Sequence, residues 1–286
     1  MNIDVNMPRE EIQTRIENEK REVYLNFSRE IKSKIIKYLY DKTKGNEKIN
    51  RRLIAESMDK KIPDINNDVN DLIKQKFIEK NSQDNLVLTP WGFAICEAFE
   101  QFLGNMIKNK NYFLEHDLQK IPAHFRESMG VFDNCSIISG QASHIMIERK
   151  EIEIMDNSKK YIYNLLHDGR YNQEIMNLLI NKSEKIKYFK MRTVLDRNGF
   201  AGQGSTGEEI SKLDENLKLN GSTRELRKMS GVTVSIIMNE SEALVMFPLI
   251  NTEKPDITQA FYGKDEKFVE WCHDFFIQRW ELSTPS

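Results

Sequence analysis

The segment from Asn50 to Pro90 restricts the fold of this chain more than any other. A short apolar helix around Leu53 comes first, and Pro63 then starts a second helix. The buried side of that second helix would carry Ile65, Val69, Leu72 and Ile73. A polar tip at 81–85 and a short strand, Leu86 to Thr89, follow. Helix, turn, helix and a two-stranded tip in this order predict a winged helix-turn-helix.

The opposite side of the second helix is polar. At roughly 100° per residue, Asn66, Asn67, Asn70 and Lys74 lie away from the apolar stripe. An asparagine amide can pair bidentately with adenine in the major groove, and basic side chains can neutralise phosphates. We therefore predict a DNA-binding surface formed by Arg51, Arg52, Lys60, Lys61, Asn66, Asn67, Asn70, Lys74 and Lys80.

Three aspartates leave a second interpretation open. Asp64, Asp68 and Asp71 share one flank of the same helix and would be repelled by phosphates. Either they pair with basic residues of the neighbouring helix, or the module is an interaction adaptor that does not bind DNA. The order of the elements in the module, rather than its charge, favours DNA. The placement of charge agrees with that interpretation. Residues 28–90 hold 14 Lys and Arg against 10 Asp and Glu, a net charge of +4, whereas the whole chain has a net charge of −2.

The organisation along the chain predicts four parts. Residues 1–27 form a helical arm, 28–90 the winged helix-turn-helix, 91–120 a long connecting helix and linker, and 121–286 a sensor or assembly domain. The connecting helix carries an apolar seam that would pack against its own domain or against a second subunit. We expect a homodimer that uses Trp91, Ile95, Phe99, Phe102 and Met106.

The C-terminal part mixes strand and helix signals. Strands are expected at 136–138, 151–154 and 185–195, a hairpin at 232–247 around a polar turn, and helices at 156–181 and 265–281. The fold class is therefore α+β, with an α/β-like body.

Three segments carry a resemblance to a known family. They are the head from Leu53 through Phe77 and Ile78 to Gly92, the segment from Tyr112 to Pro122, and the C-terminal run from Gly231 through Glu242 to Cys272. On these segments the chain resembles archaeal winged helix-turn-helix transcriptional regulators of the methanogenesis regulatory protein type. It departs from the family where Asp64, Asn66 and Asn67 replace the usual Ser, Thr and Arg. The resemblance implies a DNA-binding regulator with a ligand- or partner-sensing body.

A glycine-rich loop gives a weaker signal for a small-molecule effector. Gly202, Gly204 and Gly207 match a GxGxxG phosphate-binding pattern, but a P-loop lysine is missing and Glu208 and Glu209 would repel an anion. A flexible surface loop is the favoured explanation of the glycines. The candidate ligand contacts are Arg192, Arg197, Gly202 and Gly204.

Other chemistry finds little support in the sequence. The five histidines form no HExxH or HxH pattern, and the three cysteines are far apart. His116 beside Asp117 could imitate a base with its orienting carboxylate, but no nucleophile turn is near it. We therefore expect no enzyme, no metal and no cofactor. The cysteine usage favours a cytoplasmic protein, the N-terminus does not resemble a secretory signal, and no apolar run predicts a membrane span.

Overall fold

The chain folds into two compact units. The computed structural model describes residues 9–43, 48–169, 173–198 and 207–286. Unit 1 is Met1–Glu100 and unit 2 is Gln101–Ser286, so the division falls within the helix predicted to connect them. Both units combine helices with strands, and the α+β class is confirmed.

Unit 1 has the predicted order of elements. Its helices are α1 (Arg9–Ser28), α2 (Glu30–Thr43), α3 (Arg51–Ser57) and α4 (Ile62–Lys74), and α5 (Pro90–Lys108) starts in it. Strands β1 (Ile78–Lys80) and β2 (Leu86–Leu88) pair antiparallel with Ile78 opposite Leu88, and form the wing. The core of this unit is built from the apolar stripes of α2 and α4 together with Phe77 and the wing strands.

The start of α5 is fixed by one close backbone approach. The Thr89 hydroxyl accepts a hydrogen bond from the Gly92 N–H and caps the helix. A Cβ on Gly92 would lie 2.1 Å from the carbonyl oxygen of Phe77. Only glycine permits this approach, because any other residue has a Cβ. The close contact places the start of α5 directly against the Phe77 backbone, between the end of α4 and the start of the wing.

Unit 2 is organised around an eight-stranded sheet. The end of α5 leads into α6 (Lys110–Glu115) and α7 (Ala123–Glu127), which are separated by a short 3-10 turn (Leu118–Lys120). The remaining helices are α8 (Ser143–Asn157), α9 (Gln173–Lys185), α10 (Gly207–Leu219) and α11 (Glu266–Leu282). The strands are β3 (Ser136–Ile138), β4 (Tyr161–Leu166), β5 (Lys190–Asp196), β6 (Thr223–Met229), β7 (Ser235–Met238), β8 (Ala243–Met246), β9 (Ala260–Gly263) and β10 (Thr284–Pro285).

The sheet has the order β10-β6-β5-β4-β7-β8-β9-β3. Strands β4, β5 and β6 run parallel, and the other neighbours pair antiparallel. Because successive side chains point to opposite faces, Ile162 and Tyr163 enter different cores. Helices α8, α9 and α10 cover one face, while α11 and α7 cover the other.

Two sequence-based expectations for the body are wrong. Residues 151–154 alternate Glu and Ile like a strand, but they belong to α8, whose buried Ile147 and Ile154 lie two turns apart. Residues 161–166 were expected in a helix and form β4 instead, because both faces of this apolar run are covered. The 232–247 hairpin and the last helix are confirmed, with Asp265 as the N-cap of α11.

The three cysteines are buried and unpaired by disulfides. Cys96 lies in unit 1, and Cys135 and Cys272 lie in unit 2. Burial raises the pKa of Cys96 and of Cys135 to about 12, and that of Cys272 well above its ordinary value. Within the part of the chain that the structure describes, no helix has the length and apolar character needed to cross a membrane.

Candidate nucleic-acid interface

Helix α4 presents its polar side to solvent because its other side is fixed in the core. Ile65, Val69 and Leu72 are fully buried, whereas Asn67 and Asn70 are exposed. Pro63 lies in the first turn, and the Lys61 N–H donates to the Asp64 carboxylate at 3.1 Å. The missing proline donor is harmless there, and the carboxylate stabilises the positive end of the helix.

Arg51 joins two of the predicted base-reading asparagines. Its guanidinium donates to the Asn66 Oδ1 at 2.6 Å and to the Asn70 Oδ1 at 2.7 Å. The start of α3 is thus attached to the exposed side of α4. Both amide oxygens accept from Arg51, so the amide NH2 groups of Asn66 and Asn70 are the donors left to face a partner.

Asn67 differs from its two neighbours. Its side chain is exposed and makes no hydrogen bond with any described residue, so its amide keeps both a donor and an acceptor. Lys60 and Lys61, in the turn before α4, and Lys74, in its last turn, are exposed and form no ion pair with a described residue. Positive charge therefore flanks the amide at both ends of the helix.

The remaining basic residues of the predicted surface line one cleft. Arg51, Arg52 and Lys80 surround a volume of about 290 Å³ between α3 and the wing. Arg52 pairs with Glu56 at 2.7 Å, and this hydrogen bond and charge raise the pKa of Arg52. Lys80 pairs with Asp84 at 2.6 Å. A phosphate would have to compete with these exposed pairs, which are weak in water.

A buried lysine that was not among the predicted site residues contacts helix α4. Lys32 of α2 is only 2 % exposed and donates to the Asp71 carboxylate at 3.1 Å. Its ammonium also lies 3.4 Å from the Asn26 Oδ1, and Asn26 in turn donates to Gln75. The signal was present, because Lys32 falls on the apolar stripe of α2 with Ile35, Ile36 and Leu39.

The predicted dimer residues have different surroundings along α5. Trp91 contacts Phe77, and Phe99 stacks on Phe27 of α1 with 4.1 Å between ring centroids. Ile95 packs on the core of unit 1 and Met106 on the core of unit 2. Phe102 is 36 % exposed, and its neighbours Leu103 and Ile107 are 41 % and 73 % exposed.

The two described residues of the predicted ligand site, Arg192 and Arg197, have different partners. Arg192 on β5 donates to Glu225 and lies over Trp280, whereas Arg197 beyond the end of β5 donates to the Thr284 hydroxyl. Gly202 and Gly204 lie outside the described residues.

His116 pairs with a partner that its sequence position does not suggest. Its ring lies 3.1 Å from Asp256, whereas the Asp117 carboxylate accepts from the Gln119 N–H. Among the described residues, no group of three or more His, Cys, Asp or Glu is arranged to hold a metal ion.

Comparison with known proteins gives likeness in fold only. No family model and no curated protein matches the chain. Among solved structures, the archaeal chromatin protein TrmBL2, described as showing a novel mode of DNA binding, is 14 % identical with a TM-score of 0.39. The likeness covers 87 % of this chain and 92 % of TrmBL2. Scores this low transfer neither a family nor a ligand.

Two further solved structures match part of the chain. Nuc of Salmonella typhimurium, a phospholipase D family member, is 15 % identical with a TM-score of 0.35, and NucT of Helicobacter pylori is 9 % identical with a TM-score of 0.38. Each likeness covers 53 % of this chain and 98 % of the other.

These two likenesses correct the prediction that the chain is no enzyme. That prediction relied on the absence of a catalytic set among sequence neighbours. The body sheet brings distant residues together, with His116 beside Asp256 and His167 4.0 Å from Asp196. The prediction of no enzyme, which was made from the linear sequence, was therefore wrong. The likenesses identify no activity for this chain.

Proposed function

We propose that this chain is a DNA-binding transcriptional regulator whose unit 1 contacts double-stranded DNA through α4. One observation carries the proposal: the exposed side of α4 presents an asparagine amide, with lysines before and after it, and none of these side chains is paired with a described residue. The acidic residues of this helix do not oppose it uniformly, since Asp64 bonds a backbone N–H and Asp71 bonds Lys32.

The three asparagines would read different base edges. Asn67 can donate to N7 and accept from the amino group of adenine, which is the bidentate contact. Asn66 and Asn70, whose oxygens accept from Arg51, would present donors to acceptor edges such as guanine O6 or thymine O4. Lys60, Lys61 and Lys74 would neutralise phosphates and fix the register.

We propose a homodimer as the DNA-binding form, with the body sensing a small molecule or a partner. The exposed apolar residues Phe102, Leu103 and Ile107 of α5 support the dimer. A ligand that binds one conformation of the body more tightly than another would shift the equilibrium between them. It would thereby change the fraction of dimers in which the two copies of unit 1 are spaced correctly for DNA.

The test is the substitution Asn67→Asp. A duplex is first selected from a random pool with the wild-type chain, and affinity is then measured by fluorescence anisotropy. The variant loses the donor to adenine N7 and adds a negative charge near phosphates, so we expect affinity to fall by about tenfold or more. Asn111→Asp, the same change at an exposed position of α6, is the matched control and should bind as the wild type does.

Salt separates this function from that of a protein-interaction adaptor. Counterion release makes DNA affinity fall steeply as salt rises. If the wild type selects no duplex at low salt, or if Asn67→Asp and Asn111→Asp bind equally, α4 does not have this role.

A further inference from the structure

Unit 2 contains an open cavity of about 630 Å³ beside α6 and α7. Its apolar lining includes Phe113, Leu118 and Ile250, and its basic lining consists of Lys120 and Arg126. The volume lies within the range of small-molecule sites.

The walls of this cavity are held by hydrogen bonds from several elements. The Asp117 N–H donates to the Pro248 carbonyl at 2.8 Å, and the Ile250 N–H donates to the Glu115 carbonyl at 2.9 Å. On the α7 side, the Trp271 indole N–H of α11 donates to the Phe125 carbonyl at 3.0 Å. The cavity is thus formed by backbone segments fixed to one another and, at α7, to α11.

His116 lines the cavity and is fixed by two acceptors. His116 places Nδ1 2.7 Å from the Tyr112 carbonyl oxygen and Nε2 3.1 Å from the Asp256 carboxylate, so both ring nitrogens face acceptors. Both side chains of this pair are buried, so His116 is held in a fixed position at the edge of the cavity.

Arg126 is the basic residue of the cavity lining that is partly withdrawn from water, whereas Lys120 is exposed. Arg126 is half-buried, and its guanidinium makes no hydrogen bond or ion pair with any described residue. A partly desolvated charge without a partner costs free energy that a bound anion would offset. Asp117 and Glu253 also line the cavity, but the Asp117 carboxylate accepts from the Gln119 N–H, and Glu253 is exposed.

We infer that the body binds a small organic anion in this cavity. The carboxylate or phosphate group contacts Arg126, whose planar guanidinium suits two parallel hydrogen bonds, and Lys120 supplies a second charge. The apolar part of the ligand contacts Phe113, Leu118 and Ile250. This inference does not depend on DNA binding, and it places the ligand away from Arg192 and Arg197.

The test uses the full chain and titration calorimetry with three probes: phenyl phosphate, phenylacetate and inorganic phosphate. We expect at least one of the two aryl anions, phenyl phosphate or phenylacetate, to bind with a stoichiometry near one. Inorganic phosphate should bind more weakly because it makes no apolar contact. Arg126→Gln should weaken aryl-anion binding at least about tenfold, the effect of a lost charged hydrogen bond. Arg149→Gln, an exposed residue of α8, removes the same charge elsewhere and should leave binding unchanged.

Three results would overturn the inference: no heat from either aryl anion, inorganic phosphate binding as tightly as phenyl phosphate, or equal effects of Arg126→Gln and Arg149→Gln. Far-ultraviolet circular dichroism and the melting temperature show whether Arg126→Gln folds. Should it fail to fold, Lys120→Gln at an exposed position replaces it, and unchanged binding by that variant counts against the inference.

Discussion

Glu242 is a buried carboxylate whose charge is stabilised by surrounding donors. It accepts hydrogen bonds from the Asn157 amide at 2.8 Å and the Tyr262 hydroxyl at 2.5 Å, and Lys264 lies 3.5 Å away. Burial alone would raise the pKa of Glu242. The hydrogen bonds from Tyr262 and Asn157 and the Lys264 charge outweigh burial and hold the pKa below its usual value.

This environment predicts a pH-dependent contribution of Glu242 to stability. A lowered folded-state pKa stabilises the native protein above the unfolded pKa of about 4.3, and this contribution is lost as pH falls through the folded value. Glu242→Gln should therefore unfold more easily at pH 7, by about 1 to 3 kcal/mol, because an amide NH2 would face donors.

Urea unfolding monitored at pH 7 and at pH 3 checks this prediction. The difference between wild type and Glu242→Gln should shrink at the lower pH, while Glu253→Gln, at an exposed loop position, should differ little from wild type at either pH. A deficit of Glu242→Gln that is the same at both pH values would contradict the assignment.

At the scale of elements, the orientation of α4 depends on α2 through one ion pair. Lys32 is 2 % exposed while Asp71 is 52 % exposed. Removing Asp71 should therefore lower the free energy of unfolding by a different amount from removing Lys32. Asp71→Ala leaves the buried Lys32 ammonium with only the Asn26 amide oxygen, 3.4 Å away. We expect the free energy of unfolding to fall by about 2 kcal/mol. Lys32→Met leaves an aspartate that water can solvate, and should cost less.

A double-mutant cycle measured by denaturant unfolding checks this asymmetry. Lys32→Met with Asp71→Ala should be more stable than Asp71→Ala alone, because the double variant buries no unpaired charge. Strictly additive effects of the two substitutions would show that the pair does not couple α2 to α4.

The elements differ in how far the sequence predicts them. The elements of unit 1 could be predicted because its helix stripes, Pro63 and the polar tip of the wing are signals that span only a few residues. The β7–β8 hairpin could be predicted for the same reason. Strand β4 could not be predicted, because its pairing with β5 and β7 depends on residues far along the chain.

The candidate sites follow the same rule. Side chains on one exposed helix face, such as Asn67 and Lys74, follow from helical periodicity. The Arg51 bridge to Asn66 and Asn70 joins two helices, and the cavity beside Arg126 joins α6 and α7 to residues 250–253. Neither arrangement leaves a spacing pattern in the linear sequence.

At the scale of the whole molecule, the exposed part of α5 predicts self-association. Phe102→Glu would place a carboxylate in the proposed dimer contact, and we expect it to convert a dimer into a monomer of 33.6 kDa. Light scattering coupled to size-exclusion chromatography measures the mass. Leu219→Glu, at a leucine of α10 that is 84 % exposed, is the matched control and should remain dimeric.

Two outcomes would contradict a dimer through this surface. One is a wild-type mass equal to that of a single chain, and the other is a dimer that survives Phe102→Glu as well as Leu219→Glu.

The reactivity of the three buried thiols reports local unfolding of the protein. With pKa values near 12, Cys96 and Cys135 carry almost no thiolate at neutral pH while the chain is folded, and burial raises the pKa of Cys272 as well. A thiol reagent therefore modifies a cysteine mainly when the surrounding structure opens. Because Cys96 reports on unit 1 and the other two on unit 2, the labelled peptide identifies which unit opened and how often.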